Sequence, residues 1–457
     1  MPVFVNSTRG GLGATGLLTL LALVAMAILP DIQVMGYEGI LGDFCRNRKP
    51  EECCEKRLDD CSVPIYDTLC YCDEFCITDI DQPKNDDCCP DFREVCLGEK
   101  PSKDDPGPYI LADCEKDGVN IKHGDSHKFN CNECKCAEGQ LLCEEDECMV
   151  EEKEIRTVNQ RPLHYGWRAS NYSNFWGRKA KDGLMLRTGS FIPEELSMKM
   201  NPIALRPDVS QIPSRFDART KREWLGRVSD VRDQGWCGAS WAFSTIGVTQ
   251  DRLAIIAKGR KPFQLSVQNL LSCAKLGQKE CEGGYVDRAW NYLRKTGVVS
   301  EKCYRYDSGS TNKVSRCLIR SRDTSALQCE HKHQYKTEPA YRISSNVEDI
   351  QWEILNDGPV QAMMEVHKDL FMYKSGIYSY SGVTKGETAS HSVRIIGWGE
   401  DPLPGSRPVK YWLVANSWGK DWGENGLFKI RRGTNESGIE TFVLAVRVRL
   451  ANYVYGV

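Results

Sequence analysis

Three stretches of the 457-residue chain carry side chains of the types that act together on a carbonyl group. The first is Gln234-Gly-Trp-Cys-Gly-Ala-Ser-Trp-Ala-Phe-Ser244, with a carboxamide at Gln234 and a hydroxyl at Ser240. The second is Ser390-His-Ser-Val393, with the imidazole of His391. The third is Asn416-Ser-Trp-Gly-Lys-Asp-Trp-Gly-Glu-Asn-Gly426, which opens with the carboxamide of Asn416. A hydroxyl whose proton an imidazole accepts is a working nucleophile on several unrelated folds. Taken singly, each residue has a plainer use. A lone histidine is more often structural, so only its neighbourhood raises His391 to a site residue, and Trp418 and Trp422 read as packing residues. Ser244 lies about a turn further into the helix that follows Ser240 and would point away from the cleft, so it is the weaker nucleophile candidate.

These stretches resemble, in order, the motifs of the papain family of cysteine proteases, in which a glutamine precedes Cys-Gly-Ser-Cys-Trp-Ala-Phe. Leu265-Ser-Val-Gln-Asn-Leu-Leu-Ser-Cys273 is similar to the family segment after the central helix, and Cys281-Glu-Gly-Gly284 to its Cys-Asn-Gly-Gly motif. Asp357-Gly-Pro-Val360 and Tyr373-Lys-Ser-Gly-Ile-Tyr378 match its strand-rich half. Ile212-Pro-Ser-Arg-Phe-Asp-Ala-Arg219 gives the resemblance a cathepsin B-like flavour. It implies that His391 is the base, Asn416 holds the imidazole, and Gln234 with the backbone N–H of Ser240 binds an oxyanion. It also implies a Cys237–Cys281 disulfide and a substrate groove lined by Gly283 and Gly284. The nucleophile departs from the family: Ser240 stands where the cysteine belongs. A helix N-terminus and an imidazolium stabilise a thiolate near neutral pH, whereas a serine hydroxyl does not ionise in a site tuned for that pair. The cathepsin B loop with two adjacent histidines has no counterpart in Cys303 to Cys329. His331 and His333 come after it, so dipeptide trimming is not implied.

The elements that must position these groups are legible as an α+β domain from Ile212 onward, 212–457. Trp241, Ile246, Leu253 and Ile256 recur at helical spacing, which predicts a helix from Trp241 to Lys258 stopped by Gly259. Ser266 is placed to cap a second helix through Leu271, and Asn346 a third that ends at Asp357-Gly358. His391 to Trp398, Lys410 to Ala415 and Gly426 to Arg431 read as strands broken by glycine-rich turns. Helices first and strands second predict a papain-like fold of two subdomains, a helical half and a β-barrel-like half, with a cleft between them.

Upstream, the 22 cysteines fall into even clusters: ten from Cys45 to Cys96, six from Cys114 to Cys148 and six from Cys237 to Cys329. The apolar run Leu17 to Leu29, shorter than the ~20 residues of a membrane span, reads as a signal-peptide core within residues 1–36. Cleavage would follow Ala27 or fall near Gly36. An uncleaved anchor is the competing reading. The clusters therefore read as disulfides of an oxidising compartment. Residues 41–98 resemble a somatomedin B domain, through Cys70-Tyr-Cys-Asp-Glu-Phe-Cys76 and Cys88-Cys89-Pro-Asp-Phe92, with two cysteines beyond that family's eight. A proline- and lysine-rich linker, 100–110, comes next. Residues 111–149 resemble a von Willebrand factor type C module, through Cys131-Asn-Glu-Cys-Lys-Cys136. Zinc at that Cys-x-x-Cys pair competes with bridging, and the secretory context favours bridges. Residues 150–211 have no cysteine and resemble the short prosegment of cathepsin B-like enzymes; a structured linker is the alternative.

This order of modules resembles that of the tubulointerstitial nephritis antigen family. The resemblance implies a secreted, extracellular glycoprotein of matrix or basement membrane that binds matrix proteins or cell-surface receptors without proteolysis. Glycosylation acceptors stand at Asn171 and Asn435; a third, Asn6, would leave with the signal peptide. The chain has no Arg-Gly-Asp tripeptide. A net charge of −3 points to neither nucleic acid nor an anionic membrane, no second apolar run is long enough to span, and no metal or cofactor is called for. Two other functions compete: a peptidase that uses Ser240 as its nucleophile, and a decoy that captures peptides in its groove without cleaving them.

Overall fold

The computed structural model describes residues 40–448, apart from 41, 57, 67, 78–86, 100–111, 138, 193–199, 258–263, 320–326, 328, 330–332 and 403–406. The signal-peptide stretch, Asn6, the 100–110 linker and His331 lie outside the described residues. The chain divides into two units, 1–113 and 114–457.

In the first unit, β1 (Ser62–Ile65) and β2 (Thr68–Tyr71) form an antiparallel hairpin, and α1 (Phe92–Leu97) ends at Gly98, in the left-handed region at φ +66°. Ile65 and Phe92 are the buried non-cysteine side chains of its core; the rest is cystine. Five bridges, Cys45–Cys72, Cys53–Cys96, Cys54–Cys61, Cys70–Cys89 and Cys76–Cys88, stand in for the apolar area that so short a segment cannot bury.

The second unit begins with two small sheets. β3 (Cys114–Lys116) pairs with β4 (Val119–Ile121), and β6 (Asn132–Ala137) lies between β5 (Ser126–Phe129) and β7 (Gln140–Cys143). Cys114–Cys136, Cys131–Cys148 and Cys134–Cys143 cross-link them, so the Cys-x-x-Cys pair is committed to disulfides. This module is stitched to residues 150–179. The Asn130 side chain donates to the Val150 carbonyl (2.8 Å) and accepts the Gly177 N–H (3.0 Å), while Lys179 reaches Glu144 at 3.1 Å and Asp146 at 2.5 Å.

Residues 150–211 supply α2 (Glu152–Gln160), β8 (Trp167–Ala169) and α3 (Ala180–Leu186). β8 is an edge strand. Its outer backbone is capped at Ala169 by Asn159, whose side chain accepts the Ala169 N–H and donates to the Ala169 carbonyl, both at 2.9 Å.

The remaining elements are β9 (Phe216–Asp217), α4 (Ser240–Ile256), α5 (Val267–Cys273), α6 (Val286–Lys295), β10 (Ala340–Ile343), α7 (Val347–Asp357), β11 (Val360–Val366), β12 (Tyr373–Tyr378), β13 (Ala389–Asp401), β14 (Val409–Ala415), β15 (Leu427–Arg431) and β16 (Val443–Val446). Nine strands form one sheet in the order β10-β16-β11-β13-β14-β15-β12-β8, with β9 paired to β13. Its pairings are antiparallel except β12 with β15. The sheet and the packed helices α4, α5 and α6 each have their own apolar core.

The three helices foreseen in the sequence form, with shifted ends. α4 starts one residue earlier than expected, because Ala239 rather than Ser240 has the non-helical backbone, and it ends at Ile256. The Ser266 hydroxyl accepts the Asn269 N–H at 2.9 Å, and Asn346 caps α7 through the Glu348 N–H. α6 is an additional helix, and Val286, Ala289, Trp290 and Leu293 are buried along it at the spacing of one helical face.

α4 is buried on all sides, charged residues included. Arg252 is 2% exposed and donates to Glu353 (2.8 Å) and to the carbonyls of Pro359 (2.9 Å), Val446 (3.0 Å) and Gly358 (3.1 Å). Glu353 is equally buried, so removing its cation strands a carboxylate. Arg252→Met is expected to cost about 3–5 kcal/mol, read as a lower midpoint in urea unfolding. Adding Glu353→Gln should recover part of that loss; a single variant as stable as the unaltered protein would contradict a stranded charge.

Candidate active site

Ser240 is the first residue of α4 and is fully buried. Its place is set from below by the all-buried helix and from the side by Cys237–Cys281, the pairing that the family resemblance implied. His391 lies on β13 opposite Met364 of β11, and Asn416 follows the end of β14. Gln234 enters just before the helix, with its N–H donating to the Ser417 carbonyl (2.8 Å) and its Oε1 accepting the Ser417 hydroxyl (2.6 Å). The structure thus brings all four groups to the seam between the helical core and the sheet.

His391 Nε2 is 2.8 Å from Asn416 Oδ1. That oxygen also accepts the Ser417 N–H at 2.8 Å, so it is the acceptor and His391 Nε2 carries the proton. Nδ1 is then a bare lone pair, buried without a hydrogen-bond partner, and the Asn416 Nδ2 amide is likewise buried and unpartnered. The Trp418 ring stands 5.3 Å from the imidazole and covers it. Burial pushes the His391 pKa down to about 4; the Asn416 bond opposes the shift, and the buried Arg187 cation adds to it. The imidazole is therefore neutral at ordinary pH.

The Ser240 hydroxyl is not bonded to this base. It lies 2.8 Å from Ser190 Oγ, with the Ser392 N–H at 3.4 Å. The proton positions follow from one proton per hydroxyl. Ser244 donates to the Ser240 carbonyl (2.7 Å), so Ser392 must donate to Ser244 (2.7 Å). Ser190 must then donate to Ser392 (2.8 Å), and Ser240 to Ser190. The hydroxyls of residues 240, 190, 392 and 244 form a one-way ring that closes on the Ser240 carbonyl. The Ser240 proton is thereby directed away from His391. Ser244 faces into this ring, contrary to the expectation that it points away from the cleft, and is anchored from behind by Gln361 Nε2 at 2.7 Å.

The cleft is filled by the chain itself. The Thr188 carbonyl accepts from Gln234 Nε2 (3.1 Å) and from the Ser240 N–H (3.2 Å), the two donors that the resemblance assigns to an oxyanion. Gly284 donates to the Gly189 carbonyl and accepts from the Phe191 N–H, both at 2.9 Å, and Ser190 donates its N–H to the Ser390 carbonyl at 3.1 Å. Gly189 has φ +100°, and a Cβ there would lie 2.1 Å from the Gly238 carbonyl oxygen, so only glycine admits this approach. Upstream, Arg187 pairs with Asp233 at 3.0 Å, donates to the Trp418 carbonyl at 3.3 Å and lies over the Trp236 ring. Sequence reasoning missed Thr188, Gly189, Ser190 and Ser392. Gly189, directly after a helix-forming stretch, was the available signal.

Of the glycosylation acceptors, Asn171 is exposed. Asn435 sits at φ +52°, where its side chain accepts the Glu440 N–H (3.0 Å) and donates to Thr441 Oγ1 (2.9 Å). The bridges left open in the sequence are Cys273–Cys317 and Cys303–Cys329. His333 packs edge-on to Tyr335.

A helical half against an antiparallel sheet, with a histidine–asparagine pair facing a helix N-terminus, defines a papain-type domain. Residues 212–447 match the model of the papain family cysteine proteases. Among solved structures, proCathepsin B S9 from Trypanosoma congolense is similar at 29% identity and a TM-score of 0.56, over 66% of this chain and 99% of that one. A cathepsin B-like cysteine proteinase of Schistosoma japonicum is 33% identical over 64% of this chain and 89% of the relative. Two other relatives match almost end to end. Tubulointerstitial nephritis antigen-like of Mus musculus is 40% identical over 92% of this chain and 91% of its own length, and tubulointerstitial nephritis antigen of Homo sapiens is 41% identical over 88% and 87%. The chain belongs to the tubulointerstitial nephritis antigen family, within the papain-type cysteine proteases.

The His391 shift sets a pH dependence. Unfolded, the imidazole binds a proton below about 6.5; folded, it does so only below about 4. In that window the unfolded state holds more protons, so stability falls as pH drops from 6.5 toward 4, by up to ~3 kcal/mol. Urea midpoints between pH 7.5 and 4.5 should show this slope, and His391→Gln should flatten it. An unchanged slope in that variant would place the titration elsewhere.

Proposed function

We propose that this chain is a secreted, non-proteolytic family member that acts as an extracellular matrix or cell-surface binding glycoprotein. The observation that carries the non-proteolytic reading is the orientation of the Ser240 hydroxyl, whose proton goes to Ser190 while the His391 lone pair has no partner. A serine nucleophile needs a base in hydrogen-bond contact, and a thiolate-type site needs an imidazolium. Ser240 has neither, because it is bonded elsewhere and the imidazole is neutral.

Secretion is supported by the N-terminal apolar run and by cysteines that are all paired. An exposed acceptor at Asn171 fits a glycoprotein. The peptide-capturing reading is less favoured, because the Gly284 backbone that would hold a peptide is already paired with Gly189 and Phe191. Binding to matrix proteins or receptors would then fall to surfaces outside the cleft.

The decisive test is hydrolysis of a fluorogenic peptide by the purified protein beside its Ser240→Cys variant. The unaltered protein should show no turnover above buffer. Turnover that His391→Ala abolishes would make this a serine-nucleophile peptidase and overturn the proposal. For the binding half, the protein should stay with the matrix laid down by secreting cells after detergent extraction; recovery wholly in the medium would count against it.

A further inference from the structure

We propose that residues 186–191 are a permanent occupant of the cleft, latched by the hydroxyl ring of Ser190, Ser240 and Ser392, and are not a removable covering. The inference deepens the non-proteolytic reading and rests on it in one respect: Ser240 acts as a hydrogen-bonding hydroxyl, not as a nucleophile.

Three features carry it. The first is chemical. A hydroxyl donor and acceptor fit 2.8 Å apart, as Ser190 and Ser240 do. A cysteine there would present a larger, weakly hydrogen-bonding sulfur that cannot come as close, so the replacement that removes the nucleophile also creates the latch. The ring has no spare proton. Each of its hydroxyls donates once, and Ser244 accepts from Gln361 as well as from Ser392.

The second is steric and backbone-based. The strap lies in van der Waals contact with Gly238, which it can approach only because residue 189 is glycine, and it is bonded to both walls, Gly284 on one side and Ser390 on the other. Buried backbone groups bonded to the protein on both sides exchange only when the strap opens.

The third is anchorage. The chain leading to the strap contributes fully buried side chains to the sheet core, Trp167 and Phe175 among them, and Tyr172 donates to the Tyr373 carbonyl at 2.7 Å. It is also tied to the disulfide-bonded module by the Met149 N–H to the Arg178 carbonyl and by the Ala180 N–H to the Glu147 carbonyl, at 2.8 and 2.7 Å. Cutting the chain after the strap would leave it held by the core, the module and the ring.

Two measurements on the full chain test this. In hydrogen exchange, the Ser190 and Phe191 amides should exchange as slowly as those of β13, and Ser190→Ala should speed them about 10- to 100-fold, the effect of losing the two buried bonds that the Ser190 hydroxyl makes. In Ser240→Cys, residue 240 carries the one free thiol, because all 22 cysteines are paired, so its alkylation reads cleft opening directly. Because the sulfur cannot complete the 240–190 bond, this thiol should be alkylated readily, and adding Ser190→Ala should change the rate little; a thiol that resists alkylation would mean that the strap is held without the latch. Gly189→Ala, which cannot make the close approach, should leave the thiol open. Exchange at 190 and 191 at the rate of a free loop, or exchange in the unaltered background that is indifferent to Ser190→Ala, would overturn the latch while leaving the non-proteolytic reading intact. Peptide hydrolysis by the unaltered protein would instead sink that reading.

Discussion

A helix with no solvent face must lie between two layers, and α4 is such a helix. Its apolar residues fill the helical core, and its charged residues are neutralised where it meets the sheet. Arg252 is surrounded by carbonyls and Glu353. Asp251 is fully buried and accepts the Ser229 N–H (2.8 Å) and hydroxyl (2.6 Å) while pairing with Arg394. Burial pushes the Asp251 carboxyl up, and the Arg394 cation works against that shift. Arg394 belongs to β13, the strand that carries His391. One buried ion pair thus fixes the helix and the histidine strand relative to each other, and the seam it defines is where Ser240, His391, Asn416 and Gln234 meet.

The seam brings a hydroxyl, an imidazole and two carboxamides together, and the imidazole is neutral. A thiolate–imidazolium pair would be self-stabilising even in so dry a place, because each ion solvates the other. With a hydroxyl at 240, only the Asn416 bond works against the burial of a charged imidazole, so the ring stays neutral and its Nδ1 lone pair idle. The Ser240 hydroxyl is bonded to Ser190 instead. The remaining parts of the constellation have kept structural employment: Gln234 ties the loop before α4 to Ser417 and to the Thr188 carbonyl, and Asn416 orders the turn beneath Trp418.

The same logic binds the segment upstream of the domain to it. β8 lengthens the sheet, Asn159 caps it at Ala169, and Lys368, almost wholly buried, is neutralised by Glu154 at 2.7 Å and by Glu147 of the disulfide module at 2.9 Å. Module, strap and papain-type domain share cores and buried charges from Cys114 onward, which is why the second unit starts there and not at Ile212.

Sequence alone determined much of this. The apolar residues at helical spacing after Ser240, the caps at Ser266 and Asn346, and the strand-like run after His391 announce their elements because local periodicity and capping chemistry are written in consecutive residues. The order of motifs pointed to the papain family, and even cysteine clusters announced bridges, although spacing could not say which cysteines pair. What only the tertiary structure decided is the direction of a proton and the occupant of the cleft. Ser190, Ser240, Ser392 and Ser244 are ordinary serines in sequence. They form a ring only because Gly189 lets the strap press against Gly238 and because β13 brings Ser392 beneath it. Hydrogen-bond direction and close backbone approach depend on residues far apart in the chain, and no local pattern encodes them.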